Sequence, residues 1–236
     1  MMTILFAASP GTASQTLRKN LEAILGSKSK NFKSGAGIGN LLLNISLKEK
    51  ILKKLKLDIM TQTDLIYGHI FPTKHNMTLL DQYFEIKHTI ISYRNIYDQL
   101  NNFYKWQKYN LRGPLNFPED KFFSNKKTFY SNNYNIDLNL LLVLNFYKHW
   151  FYLIQKNKIK KFTLISFDEI TSFNKQYKKK IYRILKNTIP EHKIKFNIKV
   201  NENLYKDEKF KLHLRHKKMI KDFVALNENI DFSLIL

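Results

Sequence analysis

Two short segments of the chain combine a strand, a polar loop and the start of a helix, a pattern that can bind anions. The first runs from Ile4 to Leu17 (ILFAASPGTASQTL), and the second runs from Thr89 to Phe103 (TIISYRNIYDQLNNF). A helix N-terminus offers free backbone N–H groups and the positive end of the helix dipole. We therefore expect an anion site at each segment, and two such sites predict a ligand with two anionic groups.

The loop of the first segment supplies groups suited to phosphate or sulfate. Gly11 lets the backbone approach an anion, and Thr12, Ser14 and Thr16 carry hydroxyl donors. The Walker A pattern G-x-x-x-x-G-K-[ST] is absent from the chain, which argues against an ATPase or GTPase of that class. The alternative interpretation is an ordinary helix start, capped by Thr12 or Ser14.

A histidine lies between the two segments, in Gly68-His69-Ile70-Phe71-Pro72. A neutral imidazole is an effective general base near neutral pH, so His69 is the first candidate for that role and His75 is the second. Because the chain has no cysteine and no His-x-x-x-His pair, no transition-metal site is expected. The other histidines are interpreted as structural: His88, His149, His192, His213 and His216.

Short apolar strands alternate with amphipathic helices, which predicts an α/β fold in a single domain over residues 1–236. A parallel β-sheet of four to five strands is expected between helical layers. The predicted strands are Thr3–Ala7, Leu65–Ile70, Lys87–Tyr93 and Lys161–Ser166, with Lys193–Val200 as another candidate. Ligands bind such sheets at the carboxyl ends of the strands, where Ser9–Ser14, His69 and Arg94 all fall.

Three further segments carry local predictions. Gly26–Gly39 is expected to be a loop with no strand before its glycines. A short helix, Met77–Tyr83, is expected after a cap at Asn76. Thr171–Ile189 is expected to be one amphipathic helix, ended by Pro190.

Together these motifs resemble the sulfotransferase family, which binds 3′-phosphoadenosine 5′-phosphosulfate (PAPS). The resemblance implies a P-loop NTPase-like sulfotransferase fold. In that family the first loop usually reads Pro, a basic residue, Ser or Gly, Gly, Thr or Ser, Thr. Aligned on Pro10, this chain has Gly11 at the basic position and Ala13 at the usual glycine. By resemblance, the residues that bind the cofactor here are Pro10, Gly11, Thr12, Ala13, Ser14 and Gln15.

The second segment extends the resemblance. The family carries an Arg at the end of this strand and a Ser farther along, and both hold the 3′-phosphate; here they correspond to Arg94 and Asn102. Pairing of Arg94 with Asp98 is the alternative interpretation. Lys199 and Arg215 fall where the family has a basic loop over the cofactor, although its glycines are missing here.

The resemblance implies an enzyme that transfers a sulfuryl group from PAPS to a hydroxyl of an acceptor, with His69 as general base. A saccharide is one candidate acceptor. The product would be 3′-phosphoadenosine 5′-phosphate, and no metal is expected. A catalytically impaired relative that binds a nucleotide or an acidic glycan is the alternative, because Gly11 and Asn102 depart from the family pattern.

Net charge adds a third hypothesis. The chain has 40 Lys and Arg against 19 Asp and Glu, a net charge of +21, which attracts polyanions. Aromatic and basic residues interleave from Phe103 to Tyr109, as in proteins that stack bases. The abundance of Lys, Asn and Ile equally fits an A+T-rich coding bias, so nucleic-acid binding is not favoured. The composition does not predict an oligomeric state.

Location is predicted from absences in the sequence. There is no cysteine, and no Lys or Arg precedes Arg18, so the basic start of a signal peptide is missing. No run reaches the roughly 18 apolar residues of a membrane span. These features favour a cytoplasmic protein, with peripheral contact to a membrane as a further possibility.

Overall fold

The computed structural model describes residues 2–26, 29–31, 37–38, 43–44, 46–57, 63–108, 136–186 and 210–236. The strands, in chain order, are β1 Met2–Ala8, β2 Lys30–Asn31, β3 Gly37–Ile38, β4 Leu43–Asn44, β5 Thr63–Gly68, β6 Ile86–Tyr93 and β7 Phe162–Ser166. Five of them form a parallel sheet in the order β2-β5-β1-β6-β7, and β3 pairs antiparallel with β4. The predicted α/β fold with four to five parallel strands is confirmed.

Helices cover both faces of the sheet. Their bounds are α1 Ser14–Leu25, α2 Glu49–Leu57, α3 Lys74–Tyr83, α4 Ile96–Lys108, α5 Ile136–Gln155, α6 Phe167–Ser172, α7 Lys175–Leu185 and α8 Leu214–Ala225. One face packs against α1, α6 and α7. The other face packs against α2, α3, α4, α5, α8 and the segment 230–235. None of the described helices is long and apolar enough to cross a membrane.

Strand β1 is the centre of the sheet. Its residues from Ile4 to Ala8 are fully buried, because helices cover both of their faces. A continuous apolar run is typical of a parallel strand in this position. Ala7 is level with Gly68 on β5, and Ala8 is level with Ser92 on β6. The register therefore aligns the carboxyl ends of the three central strands.

The prediction of one helix over Thr171–Ile189 is wrong. Two helices occupy the described part of this segment, α6 and α7, and they are separated by Phe173, whose φ is 52°. Asn174 then caps α7, because its side-chain oxygen accepts from the N–H of Tyr177 at 2.9 Å. The apolar residues of the pattern, Tyr177 and Ile181, both lie in α7 and face the sheet.

The expected cap at Asn76 is also wrong. Helix α3 begins at Lys74, and the Thr73 hydroxyl is its cap, accepting from the N–H of Asn76 at 3.1 Å. The side chain of Asn76 is fully buried and joins two other segments: it accepts from the N–H of Leu47 at 2.8 Å and donates to the carbonyl of Phe71 at 2.8 Å. Its role is to connect loops.

Gly26–Gly39 was expected to contain no strand, and this is wrong for the residues that the structure describes. Lys30 and Asn31 pair with β5 as the edge of the main sheet, and Gly37 and Ile38 pair with β4. The predicted strand Lys193–Val200 lies outside the described residues.

Candidate anion site at the carboxyl edge of the sheet

Three predicted site segments meet at one edge of the sheet. The loop 9–13 follows β1, His69 follows β5, and Arg94 follows β6. Direct contacts join them: the imidazole of His69 bonds to the carbonyl of Ala8 at 2.7 Å, and the guanidinium of Arg94 donates to the carbonyl of Gly11 at 3.3 Å. The convergence predicted from the order of strands and loops is confirmed.

Three successive carbonyl groups of the loop, those of Ser9, Pro10 and Gly11, are held by donors of the protein itself. The Thr12 hydroxyl donates to the carbonyl of Ser9 at 2.7 Å, the Gln99 amide donates to the carbonyl of Pro10, and Arg94 donates to that of Gly11. In a trans peptide the N–H points opposite to the C=O of the same unit. The N–H groups of Gly11 and Thr12 therefore point away from the donors that hold the carbonyls, as in an anion-binding nest.

Helix α1 continues this row of backbone donors. Gly11 has φ 76°, and Ala13, the residue before the helix, has φ 53°. No side chain caps this helix start, and no acidic residue lies in its first turn. The expectation that Thr12 or Ser14 caps α1 is wrong. The positive end of the α1 dipole thus adds to the N–H groups of the loop.

The hydroxyl groups of the loop are used inside the protein. The Thr12 hydroxyl, fully buried, lies 2.6 Å from the hydroxyl of Ser92 on β6. The Ser14 hydroxyl lies 3.0 Å from that of Tyr67 on β5. These bonds anchor the loop to both neighbouring strands, so the loop can offer an anion its backbone N–H groups more readily than its hydroxyls.

Arg94 is a buried cation beneath the loop, with 4% of its surface exposed. Its guanidinium carbon lies 3.7 Å from the ring centre of Phe167, the first residue of α6. Its backbone N–H donates to the hydroxyl of Tyr147 on α5 at 3.1 Å. A positive charge is therefore fixed beside Gly11, the position at which sulfotransferases usually carry a basic residue.

The second helix N-terminus is not an open anion site, and that expectation is wrong. The side-chain oxygen of Asn95 accepts from the N–H groups of Tyr97 at 2.9 Å and Asp98 at 3.4 Å. The N–H of Ile96 donates to the carbonyl of Ile235 at 2.7 Å. The start of α4 is thus capped by its own chain, and an anion near Arg94 would depend on side chains.

The remaining predicted cofactor residues are placed differently. Asn102 is half-buried on α4. Arg215, on α8, pairs with the carboxylate of Asp137 at the start of α5, and its side chain is 74% exposed. Lys199 lies outside the described residues.

The surroundings of His69 favour the neutral imidazole that a general base needs. Burial lowers the pKa of its imidazole below the ordinary value of 6.5. A carbonyl oxygen only accepts hydrogen bonds, so the Nδ1 atom facing Ala8 carries the proton and Nε2 keeps its lone pair. The second candidate, His75, bonds through Nε2 to the carbonyl of Leu47 at 3.0 Å. Of these two histidines, His69 is the one that contacts the end of β1, directly before the loop.

Two residues of the site were missed in the sequence, Gln99 and Tyr147. Both are fully buried, and they bond to each other at 3.0 Å. Gln99 has a detectable signal, since it lies on the same helical face as Ile96 and Phe103, which is an unusual place for an amide. Tyr147 lies within a helix of nearly continuous apolar character and has no such signal.

The comparisons with known proteins give a fold-level likeness. No protein-family model matches the chain, and no curated protein matches it. Among solved structures, the chain is similar to a sulfotransferase from Alicyclobacillus acidocaldarius, with 11% sequence identity and a TM-score of 0.46. The match covers 94% of this chain and 91% of that chain. A likeness at this level does not assign a family or an activity.

Proposed function

We propose that this protein is a PAPS-dependent sulfotransferase that acts on a hydroxyl group, with saccharides as the first acceptor class to test. One observation carries the proposal: the carbonyls of Ser9, Pro10 and Gly11 are bonded to the protein, so the N–H groups of Gly11 and Thr12 point away from those donors, in a loop that adjoins His69. Sulfuryl transfer to an alcohol requires a site that binds the anionic sulfuryl donor and a group that accepts the proton of the hydroxyl.

The residues around the loop fit the anionic part of such a donor. Backbone N–H groups from Gly11 to Gln15 would hold the phosphosulfate, and the buried charge of Arg94 would add positive potential. By resemblance, Arg94 and Asn102 would hold the 3′-phosphate. Lys199 stays a prediction, and Arg215 is the weaker candidate because Asp137 already pairs with it.

His69 would serve as the general base. Its Nε2 lone pair would accept the proton of the acceptor hydroxyl, while Nδ1–H keeps its bond to the carbonyl of Ala8 and fixes the ring. When bound, PAPS supplies the sulfuryl group: a new bond forms from the acceptor oxygen to sulfur, and the bond from sulfur to the 5′-phosphate oxygen breaks. The chain contributes orientation, positive charge and a proton acceptor.

The first test is calorimetric titration of 3′-phosphoadenosine 5′-phosphate (PAP) into the wild-type protein at fixed moderate salt. Binding is the expected result, and transfer from radiolabelled PAPS to a panel of saccharides and simple alcohols then tests catalysis. A wild-type protein that binds neither PAP nor PAPS would refute the proposal.

A second candidate function follows from Gly11. The family's basic residue is missing at this position, and a developing charge on the leaving oxygen would lack that side chain. A nucleotide-binding protein without turnover is the function that this observation favours. PAP binding without transfer to any member of the panel would select this candidate over the enzyme.

A further inference from the structure

A chain of buried hydrogen bonds joins Tyr147 and Gln99 to the loop. The Gln99 amide nitrogen donates to the Ser9 hydroxyl at 2.8 Å, and the Tyr147 hydroxyl donates to the Gln99 amide oxygen at 3.0 Å. All three residues are fully buried. We call these three residues the loop clamp.

The orientation of the Gln99 amide is determined by its partners. The carbonyl of Pro10 only accepts, so the side-chain nitrogen of Gln99 must face it. The amide oxygen then faces Tyr147, which must donate. Burial raises the pKa of Tyr147 to about 12, which keeps this donor protonated at physiological pH. This chain of hydrogen bonds therefore has one consistent arrangement of protons.

The loop clamp also reaches Arg94. The Tyr147 hydroxyl accepts from the backbone N–H of Arg94 at 3.1 Å, while the Arg94 side chain holds the carbonyl of Gly11. One residue of α5 is thus linked to the end of β6 and, through Gln99, to the loop after β1. Buried networks of this kind strengthen each other's bonds and specify one geometry.

We propose that Gln99 is a positioning residue for anion binding, and that Tyr147 acts through it. The proposal rests on the proposed function of the loop 9–13. By holding the carbonyl of Pro10 inward, Gln99 turns the N–H of Gly11 outward toward the ligand. Without that bond the Pro10–Gly11 peptide is free to rotate, and a carbonyl could then face the anion.

The test compares Gln99→Met with Asn20→Leu as a matched control. Asn20 is also a buried amide, and it donates to the hydroxyl of Tyr177 at 3.4 Å on the opposite face of the sheet from Gln99. Both variants are expected to lower thermal stability. Only Gln99→Met should weaken PAP binding, by about tenfold or about 1.4 kcal/mol.

A second ligand separates positioning from general destabilisation. Adenosine 3′-monophosphate lacks the 5′ group that the loop would hold, so its affinity should change by less than about twofold in Gln99→Met. Equal losses for both nucleotides, or equal losses in Gln99→Met and Asn20→Leu, would overturn the proposal.

Tyr147→Phe keeps the aromatic ring of the side chain and removes only the hydroxyl. It can therefore be compared with the wild type even if Gln99→Met does not fold. Tyr147→Phe should also weaken PAP binding. The double variant Gln99→Met/Tyr147→Phe should lose less binding free energy than the sum of the two single variants, because both residues act on one loop. Additive losses would contradict the coupling of Tyr147 to Gln99.

Inorganic pyrophosphate, titrated in parallel, distinguishes the two proposals. If the wild type binds PAP and Gln99→Met binds it equally well, positioning by Gln99 is refuted while the proposed function stands. If the wild type binds pyrophosphate alone, the proposed function fails and the same variants decide the role of Gln99. If it binds neither, both proposals are refuted.

Discussion

Replacing Arg94 with Ala tests whether the buried cation supports the loop, the ligand or both. The substitution removes a guanidinium that lies 3.7 Å from the ring centre of Phe167 and donates to the carbonyl of Gly11. Such a stack contributes about 1 kcal/mol and a hydrogen bond from a charged donor about 2 kcal/mol. Burying the charge carries a desolvation cost that the substitution removes, and this gain offsets part of the loss. We therefore expect the free energy of unfolding to fall by about 2 kcal/mol.

The effect on ligand binding should be larger than the effect on folding. Arg94→Ala removes the positive charge beside the loop and the proposed contact to the 3′-phosphate. We therefore expect PAP to bind about a hundredfold more weakly, a loss of about 2.7 kcal/mol of binding free energy. Arg94→Lys keeps the charge without the planar fork, and it should recover part of the affinity but little of the stability. Calorimetry and urea denaturation measure the two effects separately.

Arg183→Ala is the control for the loss of one positive charge, because Arg183 is exposed on α7. It should leave PAP affinity within about twofold at moderate salt. If Arg94→Ala loses stability but binds PAP like the wild type, Arg94 is only a support beneath Gly11. If stability does not change, our account of the contacts to Phe167 and Gly11 is refuted.

The other predictions concern catalysis, pH dependence and stability. His69→Gln should lower turnover at least about a hundredfold and leave PAP affinity nearly unchanged; equal turnover would exclude His69 as the base. Burial lowers the pKa values of His69, His88 and His149, so unfolding takes up protons and the free energy of unfolding, followed by urea denaturation, should decline as pH falls below 6.5. A decline with rising pH through neutrality would contradict this sign. Asn76→Ala leaves two buried backbone groups without a partner and should cost about 3 kcal/mol of unfolding free energy. Asn145→Ala, at a half-buried residue whose bond to the carbonyl of Leu141 is exposed, should cost less than about 0.5 kcal/mol.

The sheet and its edge were predictable because apolar periodicity is a strong local signal. The run from Ile4 to Ala8 has no polar residue, which fits a strand covered on both faces. Because neighbouring parallel strands end at one edge, the meeting of Arg94, His69 and the loop 9–13 followed from the order of elements alone. The types and order of the strands and helices were therefore enough to predict that these three segments meet.

Polar partners were not predictable, because local sequence patterns do not show which distant groups meet in the fold. Thr12 and Ser14 were expected to cap α1 or bind an anion, but the hydroxyls of Ser92 and Tyr67 meet them instead. The start of α4 was expected to be open, but Ile235 reaches it from far along the chain. Such pairings depend on tertiary distances that periodicity does not report.

The central place of β1 has a consequence for synthesis in the cell. Its neighbours β5 and β6 follow much later, and the last residue that pairs with β1, Ser92, lies 84 residues beyond Ala8. At translation rates of about 5 to 20 residues per second, β1 waits roughly 4 to 17 s for that partner. The apolar run Ile4–Ala8 would then be exposed in the nascent chain, so a chaperone that shields it should raise the yield of folded protein.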